Sequence, residues 1–189
     1  MDVNGHKIEP GADLSGANLS CANLSKVDLS YKYLSGADPS CADLTKADLS
    51  NSNLSLAKLS GADLSGAKLF NADLSGANLT NAQLRWANLT GANLSDANLT
   101  EVFMNDANLS DADLTDANLT NADLRGVDLS GAFLSGANLT NADFRDSYLH
   151  GADLSDANLT SSYLLETDLT GVNLKGANLK GAIMPPIFD

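Results

Sequence analysis

ADLSGANLTNAQLRWANLTGANLSDANLT, residues 72 to 100, decides the fold. Leucine falls on every fifth residue, at Leu74, Leu79, Leu84, Leu89, Leu94 and Leu99, and alanine always stands two residues earlier. The register continues without insertion from Leu14 to Met184, and the only centres that are not leucine are Pro39, Met104, Phe144 and Met184. An amphipathic helix repeats at about 3.6 residues, so a strict period of five would smear leucine around the whole cylinder. A plain strand alternates with period two and fails as well.

The step from alanine to leucine is two residues and from leucine to the next alanine three. The pair two apart faces one side, as in a strand, and the extra residue then flips the phase, so the chain bends once per repeat. A chain that bends every five residues with leucine always inside winds into a solenoid stacked on itself. The columns give the number of sides. Met104, Phe144 and Met184 are 40 residues apart, and Asn78, Asn98, Asn118, Asn138, Asn158 and Asn178 form an unbroken series at 20. Arg85, Arg125 and Arg145 share one column on the same count. Four sides and 20 residues per coil follow, giving about eight to nine coils and a rod about 42 Å long.

The units ADLSG, ANLSG, ANLTN and ADLTD resemble the pentapeptide-repeat family, written A(D/N)LXX, from Ala12 to about Pro186. The resemblance implies an all-β, right-handed quadrilateral β-helix and says little about activity. It divides the chain into an N-terminal cap over 1–11, the β-helix over 12–184 and a C-terminal cap or tail over 185–189.

The 189 residues carry a net charge of −13, with a sequence pI near 4.2 and 5% aromatics, as suits a narrow core that admits mainly leucine and alanine. Unbroken repeats mean one elongated domain. No apolar run reaches the roughly 18 residues of a membrane span. Met1 to Gly11 lacks the apolar stretch of a secretory signal. The expectation is a cytoplasmic protein, or an exported or lumenal one if a targeting segment was removed. Cys21 and Cys41 stand 20 apart, which puts them on one corner of adjacent coils, about 4.8 Å apart and within reach of a disulfide. In a reducing cytoplasm the expected state is two thiols.

Two stretches depart from the pattern. In Tyr31 to Ser40, Lys32 takes an inward position and Pro39 a centre position. The lysine stem must escape outward or the wall must bulge, and the proline removes a backbone donor. At the end, Pro185 and Pro186 stop the ladder, and Ile187 and Phe188 either fold over the last coil or meet a second copy. The chain is then a monomer or an end-to-end homodimer, the second raised by resemblance to dimeric family members.

Sorting by position modulo 20 separates four faces. The first carries Asp13, Asp73, Asp96, Asp113, Asp116, Asp153 and Asp156 against Lys175 alone. The second carries the asparagine column, which can hydrogen-bond coil to coil and reads as structural. The third is the least regular and gathers Gln83, Arg85, Trp86, Phe103, Asn105, Arg125, Arg145 and Tyr163, with Met104 and Phe144 at centres and Asp106, Asp146 and Glu166 alongside. Partner-binding patches are enriched in aromatic and arginine residues, so these eight are the candidate protein-binding residues. The fourth adds Phe70, Tyr148 and His150.

No nucleotide loop, zinc-type cysteine spacing or nucleophile motif is present. His6 and His150 stand alone, and no metal or cofactor is expected. The Asn-Leu-Ser/Thr triplets match a glycosylation acceptor, but the repeat generates them automatically. The first reading is therefore a non-enzymatic scaffold for a protein partner, with no nucleic acid or membrane. The alternative is an acidic DNA mimic that binds DNA gyrase or another DNA-binding protein, as some members of the family do. Against it, the first face carries about one acid per 6 Å, whereas a duplex presents about one charge per 1.7 Å. The centres are also leucine, where gyrase-binding members tend to phenylalanine.

Overall fold

The computed structural model describes residues 2–9 and 12–186. Residues 20 apart pair in parallel along the whole repeat, from Asp13 with Tyr33 to Tyr163 with Ile183. Each rung is built from two bonds. The Leu74 N–H donates to the Asn93 carbonyl at 2.7 Å, and the Asn93 N–H donates to the Ala72 carbonyl at 2.9 Å. Each side contributes one paired residue between bends, and four sides close a coil. The result is a right-handed quadrilateral β-helix with Leu74 stacked beneath Leu94.

The interior is a leucine column flanked by alanine. Leucine centres from Leu14 to Leu164 are at most 2% exposed, and Met104 and Phe144 are fully buried in that column. Where a hydroxyl replaces the inward alanine, it turns back on the chain. Ser52 Oγ donates to the Leu49 carbonyl at 2.6 Å, Ser162 Oγ to Leu159 at 2.8 Å, and Thr167 Oγ1 to Phe144 at 2.9 Å. Among the described residues no buried side-chain polar atom lacks a partner, which is the condition for tolerating polar groups in so narrow a core.

The three remaining repeat positions have equally local causes. The inward residue after each bend donates to the centre three back, as Ala17 does to Leu14 at 3.0 Å. This turn needs φ > 0 at its third residue. Every corner residue from Gly16 to Gly181 has it, including Trp86 at 58° and Leu56 at 59°. No corner is β-branched, because a left-handed backbone tolerates that shape worst. The outward Asp or Asn ahead of each centre accepts the N–H two residues on, as in Ser15 to Asp13 at 2.9 Å. Ser or Thr there often adds its hydroxyl, as in Thr80 Oγ1 to Asn78 Oδ1 at 2.7 Å. That local bond is why the position is written D or N.

Ahead of the first coil, β1 (Asp2–Val3) and β2 (His6–Lys7) form a hairpin with Asp2 opposite Lys7. Asn4 and Gly5 turn it with φ of 48° and 85°, the sign that a two-residue hairpin turn demands. Val3 and Ile8 join the core.

The disturbed stretch keeps its coil. Lys32 is half-buried, and its carbonyl still accepts from the Asn53 N–H at 2.9 Å. Its charged end acts on Asp28, whose carboxyl lies below the usual range chiefly through hydrogen bonds from Ser30, with Lys32 assisting. Lys32 also lines an open surface depression with Ile8, Val27, Asp28 and Ser30, so the stem has escaped outward. Pro39 is buried, and Asp38 with Lys58 is the single rung missing from the series among the described residues. The Lys58 N–H still reaches the Ala37 carbonyl at 2.9 Å, and Lys58 Nζ lies 3.6 Å from Asp38. One lost donor thus costs one bond and not the wall.

Cys21 and Cys41 are exposed free thiols on the same corner of adjacent coils, bracketed by the rungs Asn18 with Asp38 and Asn23 with Asp43. Pro185 is buried after Ile183, while Ile187, Phe188 and the end contact expected of them lie outside the described residues.

Candidate protein-binding face

The second and third faces have the same backbone and differ in what their side chains do. On the second, the asparagines are consumed internally. Asn138 Nδ2 donates to Thr120 Oγ1 at 3.0 Å and to Asn118 Oδ1 at 3.4 Å. Asn158 and Asn178 repeat both bonds one and two coils further on. The coil-to-coil bonding expected of that column is there, with threonine as the second acceptor.

On the third face arginine occupies the position that serine or threonine holds elsewhere. A residue there sits beside the outward carboxylate two positions earlier, so Arg125 falls on Asp123 and Arg145 on Asp143. Arg125 Nε and Nη2 each donate to Asp123 at 2.7 Å. Arg145 Nη2 donates to Asp143 at 2.5 Å, and Asp143 also lies 3.9 Å from Arg125 Nε. Asn105 joins the chain below, donating to Asp123 Oδ1 at 2.6 Å and accepting from Arg85 Nε at 3.2 Å. One polar relay therefore runs along the rod from Arg85 through Asn105, Asp123, Arg125 and Asp143 to Arg145.

The relay sets its own charges. Burial works to raise the Asp123 carboxyl, but hydrogen bonds from Arg125 and Asn105 and the Arg125 charge outweigh it and hold it below the usual carboxylate range. Asp143 is lowered against its burial in the same way, by Arg145 first and then Arg125. Arg125 is raised by its hydrogen bond to Asp123. Both carboxylates and both guanidiniums stay ionised at neutral pH.

Arg85 differs. Its guanidinium lies over the Phe103 ring, 5.3 Å from the centroid, and among the described residues it makes no ion pair. Next to it Trp86 stands on a corner, 65% exposed. Arg85, Trp86, Asn105, Asp106, Arg125, Gly126 and Asp146 line a shallow depression of about 600 Å³.

Four of the eight candidates, Arg85, Trp86, Asn105 and Arg125, meet there. Phe103 supports Arg85 from the next coil, and Arg145 connects through Asp143. Gln83 and Tyr163 share the column but not the depression. The sequence reading missed Asp123 and Asp143 as the arginines' partners. The signal was present in the triplets Asp-Leu-Arg at 123–125 and Asp-Phe-Arg at 143–145, the spacing at which serine and threonine donate elsewhere. Among the described residues no group of His, Cys, Asp or Glu is placed to hold a metal ion, and no helix is long and apolar enough to cross a membrane.

The family model described as pentapeptide repeats matches in eight copies between residues 10 and 184, leaving out only residues 31–39 in between, the stretch that holds Lys32 and Pro39. A comparison with curated protein sequences returned no match. Among solved structures, the chain is similar to HetL, a pentapeptide repeat protein involved in heterocyst differentiation regulation from the cyanobacterium Nostoc sp. strain PCC 7120. The two are 41% identical over 92% of this chain and 85% of that one, with a TM-score of 0.61. The chain is also similar in fold to QnrB1, a plasmid-mediated fluoroquinolone resistance protein, at 21% identity over 85% and 86% of the two chains and a TM-score of 0.65.

Proposed function

This chain belongs to the pentapeptide-repeat family, and from that premise we propose that it is a non-enzymatic scaffold whose third face holds a protein partner. The observation that carries the reading is the contrast between columns. All three arginines and the single tryptophan of the chain collect on one face, while the asparagine face spends its polar groups on itself. Arginine and tryptophan dominate binding energy at protein interfaces. HetL is involved in regulation, and a regulatory role exercised by binding suits a rod whose described residues assemble no catalytic group. The test is affinity capture from native extract with the parent and with the triple variant Arg85→Glu, Trp86→Ala, Arg125→Glu. The expected result is a partner retained by the parent and lost by the variant, and partners unaffected by the triple change would refute the reading.

A second reading, mimicry of DNA, rests on the first face. There Asp96, Asp116 and Asp156 stand exposed at corners, beside the outward Asp13, Asp73, Asp113 and Asp153. Inhibition of gyrase supercoiling at micromolar protein, unchanged by the triple variant, would favour it over the scaffold.

A further inference from the structure

Arg85 stands where Arg125 and Arg145 stand, yet two residues before it is Gln83 and not aspartate. An amide cannot neutralise a guanidinium. The only polar contact of the Arg85 side chain among the described residues is Nε to Asn105 Oδ1 at 3.2 Å, and the Phe103 ring supports its plane. Nε and one face are thus fixed, while neither Nη atom donates to a described residue. A planar guanidinium held in this way is oriented to receive a carboxylate through two parallel bonds. Arg125 is already paired in that manner with Asp123, so the two arginines of the depression are unlike: one is occupied and one open.

Beside the open guanidinium, Trp86 offers an indole that is 65% exposed on a corner held at φ 58°. One coil of the floor is Gly126, which brings no side chain to fill the depression. Asp106, one coil from Trp86 on the same corner column, and Asp146, two coils further on, also line it. Those carboxylates, on a chain of net −13, oppose a doubly charged phosphate more strongly than a singly charged carboxylate.

We propose that the depression between Arg85 and Trp86 receives an acidic segment of a partner protein, its carboxylate on the Arg85 guanidinium and an adjacent apolar side chain on the Trp86 indole. The inference rests on the scaffold reading and names the chemistry of what that face holds. Trp86 is the only tryptophan, so its fluorescence reports on this depression alone.

The experiment titrates the protein with blocked glutamyl-leucine amide and its glutaminyl counterpart, with inorganic phosphate and a short single-stranded DNA as competitors. The expected result is a saturable change in Trp86 emission with the glutamyl peptide, about tenfold weaker with the glutaminyl one. Arg85→Gln should abolish the difference between the peptides while leaving the thermal midpoint in place. Equal response to the two peptides, or discrimination that survives in Arg85→Gln, overturns the proposal. Displacement by phosphate or DNA at lower concentration than by the glutamyl peptide overturns it in favour of a phosphate ligand. If the peptides fail while a captured partner is still lost in the triple variant, the carboxylate assignment falls and the scaffold reading stands. If capture is also unaffected, both fall.

Discussion

The asparagine face and the arginine face are wound from the same five-residue unit, with the same rungs and corners, and they end in opposite conditions. On the first of these, Asn118, Asn138, Asn158 and Asn178 bond up and down the rod and their threonines close the remaining sites. On the other, substituting arginine for serine or threonine at 85, 125 and 145 builds a relay that ends in a side chain without a carboxylate. A repeat solenoid keeps its fold through main-chain rungs and an apolar axis. Its outward positions are then free either to add to cohesion or to face a partner.

The largest expected effect breaks both faces at once. Ala97 is 1% exposed beneath the asparagine column, and Ala97→Phe should force neighbouring coils apart. The cost is about 1 to 3 kcal/mol or more by overpacking, measured as a fall in the thermal midpoint. An unchanged midpoint would mean that alanine does not line the axis.

Next comes a contrast between the faces. Asn138→Ala removes donors to Asn118 and Thr120 and the acceptor of Asn158 and Thr140, and should cost about 1 kcal/mol. Gln83→Ala, in the same repeat position on the other face, removes no side-chain hydrogen bond found among the described residues and should stay within about 0.5 kcal/mol. Chemical denaturation of both variants measures the difference, and equal costs would erase the distinction between the columns.

The relay itself contributes less. A double-mutant cycle on Arg125 and Asp123 should give about 0.5 kcal/mol at neutral pH, because Arg125 is half-exposed and such pairs are screened. The Asp123 carboxyl is lowered on folding, so its contribution is complete above the usual carboxylate range and fades as pH falls through the lowered value. The coupling should therefore be independent of pH above about 6 and weaken on acidification below the usual carboxylate range. A coupling that grew on acidification would contradict the ionised pair.

The smallest expected stability effect belongs to the residues proposed to bind. Arg85→Gln with Trp86→Ala should shift stability by no more than about 0.5 kcal/mol, since neither side chain is packed in the core. A large loss would return both residues to the structure and leave the face without a free anchor.

Much of this was legible in the sequence because the repeat carries its own ruler. The period of Leu74, Leu79 and Leu84 fixed the inward positions, and the 20-residue spacing of Asn78 and Asn98 fixed the coil, since both are consequences of one bend per unit. The columns therefore placed Arg85, Arg125 and Arg145 together before any coordinates. The pairings were harder to read. Whether Arg125 turns toward Asp123, Asp106 or Asp146 depends on side-chain direction and not on register. The difference between Gln83 and Asp123 becomes informative only once the local bond from residue two to residue zero is seen. The hairpin over Asp2 to Lys7 was also missed, although Asn4-Gly5 is a strong turn signal, because its strands are only two residues each and carry no periodicity.

The most direct test of the division between a cohesive face and a binding face is one paired measurement. Partner retention and thermal midpoint are recorded together for the Arg85→Gln, Trp86→Ala variant and for Asn118→Ser, Asn138→Ser, Asn158→Ser. The account predicts that the first loses the partner with a nearly unchanged midpoint, while the second melts several degrees lower and keeps the partner. Loss of the partner in the asparagine variant, together with retention in the arginine and tryptophan variant, would contradict it.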